Sequence, residues 1–335
     1  MNVRVPPRRG VSPVSVRCQA FITHCEGFIF QIADFELQHE DSPMRGLELL
    51  AAGAVAVVLD EDGRVRARAA VANADVGAAA LAALEQTAVP DGTTGVSSTN
   101  PDASSSMAAM EALASRITLA RQGERPVGSG TAAAVAEAWL GAARGATDVV
   151  FFGVADHASA GILRGGLPMT GARGRAAAAA WLALNPVERE DYRRIGCLEA
   201  EVAASGIVRR LIWRIKAGDR SRVQDAAGGD LAAVSLSHVL EAARAGDGVA
   251  VSVMRDTAKY LGMAAANLVA IADPEILVLG GIMAVDADLL LEPVRAEIAR
   301  RLPVPMMQAL TIAPAVLGGD APAIGAARLG ASTAR

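Results

Sequence analysis

The sequence predicts an α/β protein built as two lobes. Three observations carry this: β-rich runs alternate with helical periodicity, a hairpin signal opens the regular part, and a second β-rich run restarts the pattern near residue 145. A chain of 335 residues is long enough for two cores of ordinary size.

The first regular stretch, residues 47–71, reads as two strands joined by a turn at Asp60 to Gly63, because Asp62-Gly63 supplies the positive φ a tight hairpin needs. Residues 76–86 have helical spacing, and 94–99 form a short strand ahead of Asn100-Pro101, which breaks regular structure. Residues 107–122 and 131–144 are amphipathic helices. The run 148–156 is β-rich, and 162–174 continues as a strand and a glycine-rich turn. Helices follow over 196–215, 231–246 and 256–272, where Asp273-Pro274 stops the last one. Residues 275–281 then read as a buried parallel strand, and 322–332 as a closing helix. Lobe one is therefore expected over 44–144 and lobe two over 145–319, with a closing helix, 320–333, that returns to lobe one.

The first 43 residues differ in kind. They hold four of the six Phe and two of the three Cys but only two Ala. This break at Met44 reads as an extension outside the fold, either an unordered arm or residues upstream of the true start. Charge narrows the partners further. The net charge of -4 comes from acids and bases mixed along the chain, with no basic run to follow a phosphate backbone, so nucleic acid is not an expected partner. No uncharged apolar stretch is long enough for a membrane span, so a cytoplasmic protein is expected. Cys18, Cys25 and Cys197 are too few for a disulfide framework and fit no four-ligand zinc spacing.

Four segments, 260–283, 136–152, 196–206 and 317–330, resemble the ROK family of sugar kinases and sugar-responsive repressors. The resemblance implies an actin-like ATPase fold, two ribonuclease-H-like lobes around a cleft that holds nucleotide and sugar, and a homodimer. A homodimer would use the apolar side chains Leu211, Ile212, Trp213 and Ile215.

The family's chemical positions are mostly changed. Its first phosphate turn keeps an acid at Glu48, but Leu50 and Ala52 stand where glycine and threonine are expected, and their side chains obstruct a phosphate. Glu48 is either a metal ligand or, on the simpler reading, a strand acid at the cleft edge without one. The second phosphate turn has lost its glycines at Ala155 and gained Asp156, a like charge toward phosphate. Asp156 and His157 could act as an acid/base pair, although neighbours in a turn tend to point apart. Ser129 stands at the family's base position and Thr131 at a following asparagine; either hydroxyl is read as the N-cap of the next helix. In the segment that gives sugar contacts and zinc ligands, Ala178 replaces a glutamate, Trp181 a histidine, and Glu190 and Tyr192 two cysteines, so that only Cys197 remains, as a small core residue. Trp181 either stacks on a sugar or fills the core of an Ala-rich helix. Asn100 lies where further sugar contacts begin, and Gly280 and Gly281 would line the adenosine side of a cleft.

The expected function is a sugar-kinase-like protein without phosphoryl transfer, acting by binding or assembly, with a small sugar as ligand and no zinc. ATP and Mg are cofactors only on the alternative reading, an active sugar kinase of glucokinase or N-acetylhexosamine kinase type. The third reading is a sugar-sensing regulator, against which stands the absence of a helix-turn-helix period in the 43 leading residues.

Overall fold

Side-chain alternation along the first strands decides which face of the first sheet becomes core. The computed structural model describes residues 43–88, 93–120 and 125–333. The extension expected over 1–43 lies, Pro43 apart, outside the described residues.

The first sheet contains β1 (Met44–Leu50), β2 (Gly53–Leu59), β3 (Val65–Ala72), β4 (Thr94–Ser98) and β5 (Val127–Gly128). Helices α1 (Val76–Gln86) and α2 (Ser104–Ala114) cover one face, where Leu47 and Leu49 of β1 are fully buried with Val76, Ala80 and Leu113. Successive residues point to opposite faces, so Gly46 and Glu48 look the other way. That face meets α3 (Ser129–Trp139) and α13 (Ala321–Thr333). The approach is close enough that a Cβ on Gly46 would lie 1.9 Å from the Ala323 carbonyl, and one on Gly95 1.8 Å from that of Ala326.

The second sheet contains β6 (Val149–Val154), β7 (Ala158–Arg164), β8 (Leu167–Pro168), β9 (Ile276–Gly281) and β10 (Thr311–Pro314). The two sheets repeat one plan. Their orders are β3-β2-β1-β4-β5 and β8-β7-β6-β9-β10, each with an antiparallel meander joined to parallel strands. Helices α3 and α13 pack on each other, and α3 also packs on β6 and β7. Around the second sheet lie α4 (Glu190–Ile195), α5 (Cys197–Val202), α6 (Ala204–Lys216), α7 (Arg222–Ala226), α8 (Leu236–Arg244), α9 (Gly248–Ala272), α10 (Ile282–Val285), α11 (Ala287–Ala299) and α12 (Val304–Ala309). The larger core sits here, with Val150, Phe152, Leu277 and Leu279 packed against α9 side chains such as Leu261 and Ala265. Helix α9 starts on an Asp247 cap, whose side chain accepts from the Ala250 N–H, and ends where Asp273 turns left-handed at φ 45°.

Several expectations are corrected. Residues 47–71 contain parts of three strands, not two, because β1 and β2 join through the two-residue turn Ala51-Ala52. That turn carries no Asn-Gly or Asp-Gly signal. The positive φ falls instead on Gly53, where a Cβ would meet the Val71 carbonyl at 2.5 Å. The helix expected over 107–122 starts earlier and stops at Ala114, after which Leu119 bridges to Thr94. Residues 196–215 form two helices, α5 and α6, broken at Ala203. Trp181 is not in an Ala-rich helix: Ala179–Trp181 is a single 3-10 turn, and Trp181 is 56% exposed. On α6, Leu211 and Ile215 belong to the core and Ile212 is half-buried against it, which leaves Trp213 as the exposed one of the four.

Candidate functional site

Parallel strands β1, β4 and β5 end side by side, and loops beyond such carboxyl ends are where α/β folds build sites. Register places Glu48 beside Ser97, and Ser98 beside both Leu49 and Gly128. Ser129 follows Gly128 directly and opens α3. Its hydroxyl donates to Glu48 Oε1 at 2.7 Å. Glu48 is 4% exposed and Ser129 6%. Burial pushes the Glu48 carboxyl up to about 7, opposed by the Ser129 hydrogen bond and assisted by the negative charge of Asp320.

This pair corrects the expectation of a hydroxyl N-cap. The N-cap of α3 is Gly128, without a side-chain bond, and Ser129 is the first helical residue, with its hydroxyl turned to Glu48. Thr131 lies inside the helix and is buried. Glu48 is a strand acid, as expected on the simpler reading, and it is buried and hydrogen-bonded.

The rim is built from the loop after β4. Asn100 is exposed, while its backbone is held by Ser98 and Ser106: the Asn100 N–H donates to Ser98 Oγ at 3.1 Å, and Ser106 Oγ donates to the Asn100 carbonyl at 2.9 Å. Two residues on, Asp102 accepts from Arg175 at 2.8 and 3.2 Å and pairs with Arg125. These bonds, Arg175 first, hold the Asp102 carboxyl below its usual range. Arg125 also donates to the Arg173 carbonyl at 2.7 Å. The glycine-rich turn around residues 171–176 is thus tied to the loop after β4.

The structure brings Glu48, Asn100 and Ser129 to one end of the first sheet. It puts the other candidates elsewhere. Asp156 is exposed in the β6–β7 turn. Its neighbour His157 pairs through Nδ1 with Glu199 Oε1 at 3.1 Å, and that hydrogen bond, against the effect of burial, raises the imidazole pKa. The acid partner of His157 therefore comes from α5 and was not legible as a neighbour in sequence. Gly280 and Gly281 end β9 beside Gly153 and Val154. Packing accounts for both glycines, since a Cβ would lie 2.6 Å from the Phe151 ring at Gly280 and 1.9 Å from the Val154 carbonyl at Gly281.

Two of the backbone N–H groups at the β6–β7 turn already have acceptors. A cradle needs free backbone N–H groups, yet in the β6–β7 turn the Ala155 N–H donates to the His157 carbonyl at 3.1 Å, and the Ala158 N–H to the Glu199 carboxylate at 2.9 Å. The residues in the expected zinc positions also serve other ends. Tyr192 donates its hydroxyl to the buried Glu201, which also takes Arg189 Nη1 at 3.0 Å, and Cys197 is buried beside Tyr192 and Ala200. No cluster of three or more His, Cys, Asp or Glu suited to a metal ion occurs among the described residues.

Two five-stranded sheets of repeated plan, with helices packed between them, define a protein of the actin-like ATPase fold, the scaffold of sugar kinases. The chain belongs to the ROK family, whose profile matches residues 93–332. A glucokinase of Halalkalibacterium halodurans is 30% identical over 198 residues, which are 58% of this chain and 59% of that protein. A bifunctional enzyme NanE/NanK of Brucella melitensis is 33% identical over 60% of this chain and 34% of its own length. The chain thus spans about three-fifths of the glucokinase relatives it matches. Among solved structures, a ROK family glucokinase from Streptomyces griseus, in complex with glucose and AMPPNP, superposes with a TM-score of 0.73 at 23% identity, covering 87% of this chain and all of that one. No helix among the described residues is long and apolar enough to cross a membrane.

Proposed function

We propose that this chain is a sugar-kinase-fold protein that has given up phosphoryl transfer and works by binding a small sugar between two lobes, 44–144 and 145–319, with the closing helix seated on the first. The observation that carries the reading is the Ser129–Glu48 hydrogen bond. Phosphoryl transfer wants a carboxylate base and a cradled phosphate. Here the residue expected at the base position is a hydroxyl bonded to a buried acid, and two N–H groups of the second phosphate turn, those of Ala155 and Ala158, are engaged. A second copy of the chain belongs to the same reading and would meet it at the outward side of α6, at Val208 and Ile212; light scattering giving a monomer removes that part.

Release of ADP, measured with ATP, magnesium and a panel including glucose and N-acetylhexosamines, tests the reading. The expected result is no sugar-dependent release, together with a sugar that raises the melting temperature. One observation favours an active kinase instead: a carboxyl poised near 7 has the affinity for protons that a general base needs. Sugar-dependent ADP release that rises with an apparent pKa near that value, and vanishes in Glu48→Gln, would establish that second reading.

A further inference from the structure

On the outer side of the second sheet, α6, α9 and the segment before α4 enclose a recess of about 610 Å³. Four cationic side chains, Arg189, Arg210, Arg214 and Lys259, line it against two acids, Glu201 and Asp256. The distribution of partners is uneven. Glu201 is buried and receives two guanidiniums, Arg189 at 3.0 Å and Arg210 at the longer 3.6 Å, besides the Tyr192 hydroxyl. The Arg210 side chain is only 12% exposed, and its Nε is buried with no hydrogen-bond partner. Arg210 also donates through Nη2 to Thr257, and Arg189 keeps 35% of its side chain exposed, so two guanidiniums, one largely desolvated and one open to the recess, share one carboxylate; the buried Arg210 Nε is left without an acceptor, which is costly.

The walls add a flat apolar surface. Trp213 is 47% exposed, and the Arg189 guanidinium stands 5.4 Å from its ring centroid. Tyr260 lines the same recess, with Arg210 6.0 Å from its centroid. Arginine forks beside aromatic faces suit a carboxylate or phosphate head, whose paired oxygens take two parallel N–H donors, carried on a ring.

We propose that this recess binds a small organic anion, a phosphomonoester or carboxylate on a six-membered ring, with its head between Arg189 and Arg210 and its ring against Trp213. The site is separate from the Glu48–Ser129 pair, and it stands whether or not the chain transfers phosphate.

Calorimetric titration with phenyl phosphate and with benzoate, using benzyl alcohol as the uncharged counterpart, tests it on the full chain. Saturable binding of one or both anions, without binding of the alcohol, is expected, and the two arms distinguish a phosphate from a carboxylate ligand. Arg189→Gln should weaken the binding at least about tenfold, as loss of a charge-assisted contact does. Trp213→Ala, a change at an exposed side chain, should also weaken it, while Glu48→Gln should leave it unchanged. Absence of saturation by either anion, affinity unaltered in both Arg189→Gln and Trp213→Ala, or loss of binding in Glu48→Gln would overturn the assignment.

Discussion

Ser129 at the first position of α3 donates its hydroxyl to Glu48 in the middle of β1, a 2.7 Å contact between residues 81 apart in sequence. The bond fixes the start of α3 against the first sheet. Most of the testable behaviour of this protein turns on that pair.

The first prediction concerns pH. The Glu48 carboxyl is raised from 4.5 to about 7 on folding. Between those values the folded chain binds more protons than the unfolded one, so stability falls as pH rises through the window and levels off above it. The change attributable to this group is roughly 3 kcal/mol. Glu48→Gln should flatten that part of the profile, which urea denaturation at pH 5 and pH 8 will read.

The second concerns the base position. Ser129→Asp supplies the acid expected at this position on the kinase reading, but it sets a second carboxyl where a hydroxyl now donates to Glu48. Two carboxylates about 4 Å apart repel by roughly 4 kcal/mol at an effective dielectric near 20, so the variant should be markedly less stable at pH 8 than at pH 5. No sugar-dependent ADP release should appear. Gain of activity in this single variant would show that the phosphate turns are adequate as they stand.

Nucleotide binding is the third. A ligand selective for the folded state at a hundredfold excess over its Kd adds about 2.7 kcal/mol, enough to move melting by several degrees. With the Ala155 and Ala158 N–H groups already bonded, millimolar ATP with magnesium should shift melting by only about a degree or less. A large shift in differential scanning fluorimetry would contradict this account of the β6–β7 turn.

A fourth prediction lies at the end of α3. The fully buried Glu137 accepts from the Ala142 N–H at 2.8 Å through one oxygen, and from the Val316 and Leu317 N–H groups at 3.0 Å through the other. It thereby joins α3 to the loop after β10. Glu137→Gln would turn an amide N–H toward at least one of these donors and should cost about 2 to 4 kcal/mol in denaturant-measured stability, since charged acceptors of buried N–H groups are expensive to lose. Glu137→Ala should cost at least as much.

Local chemistry made much of the fold legible in the sequence. The β-rich runs, the Asp62-Gly63 turn and the stop at Asp273-Pro274 formed, and each periodic stretch holds a helix, with bounds that shifted and one break at Ala203, because backbone preference and side-chain alternation act over a few residues. The Ala51-Ala52 turn was not legible, since its positive φ fell on Gly53 outside the turn. The exposed Trp181 was missed because a run of alanines has helical propensity whatever its surroundings, and here tertiary context ended it after a 3-10 turn.

For the site, sequence alone determined which residue types stand at the expected positions: a serine for a base, no glycines in the second turn, one cysteine where several were expected. Only the tertiary structure decided what those residues do. Glu48 meets Ser129, His157 meets Glu199, and Tyr192 meets Glu201. Hydrogen bonds and burial depend on which segments the sheets bring together, and a carboxyl's proton affinity depends on the water removed from around it. Neither quantity is a property of the neighbouring letters.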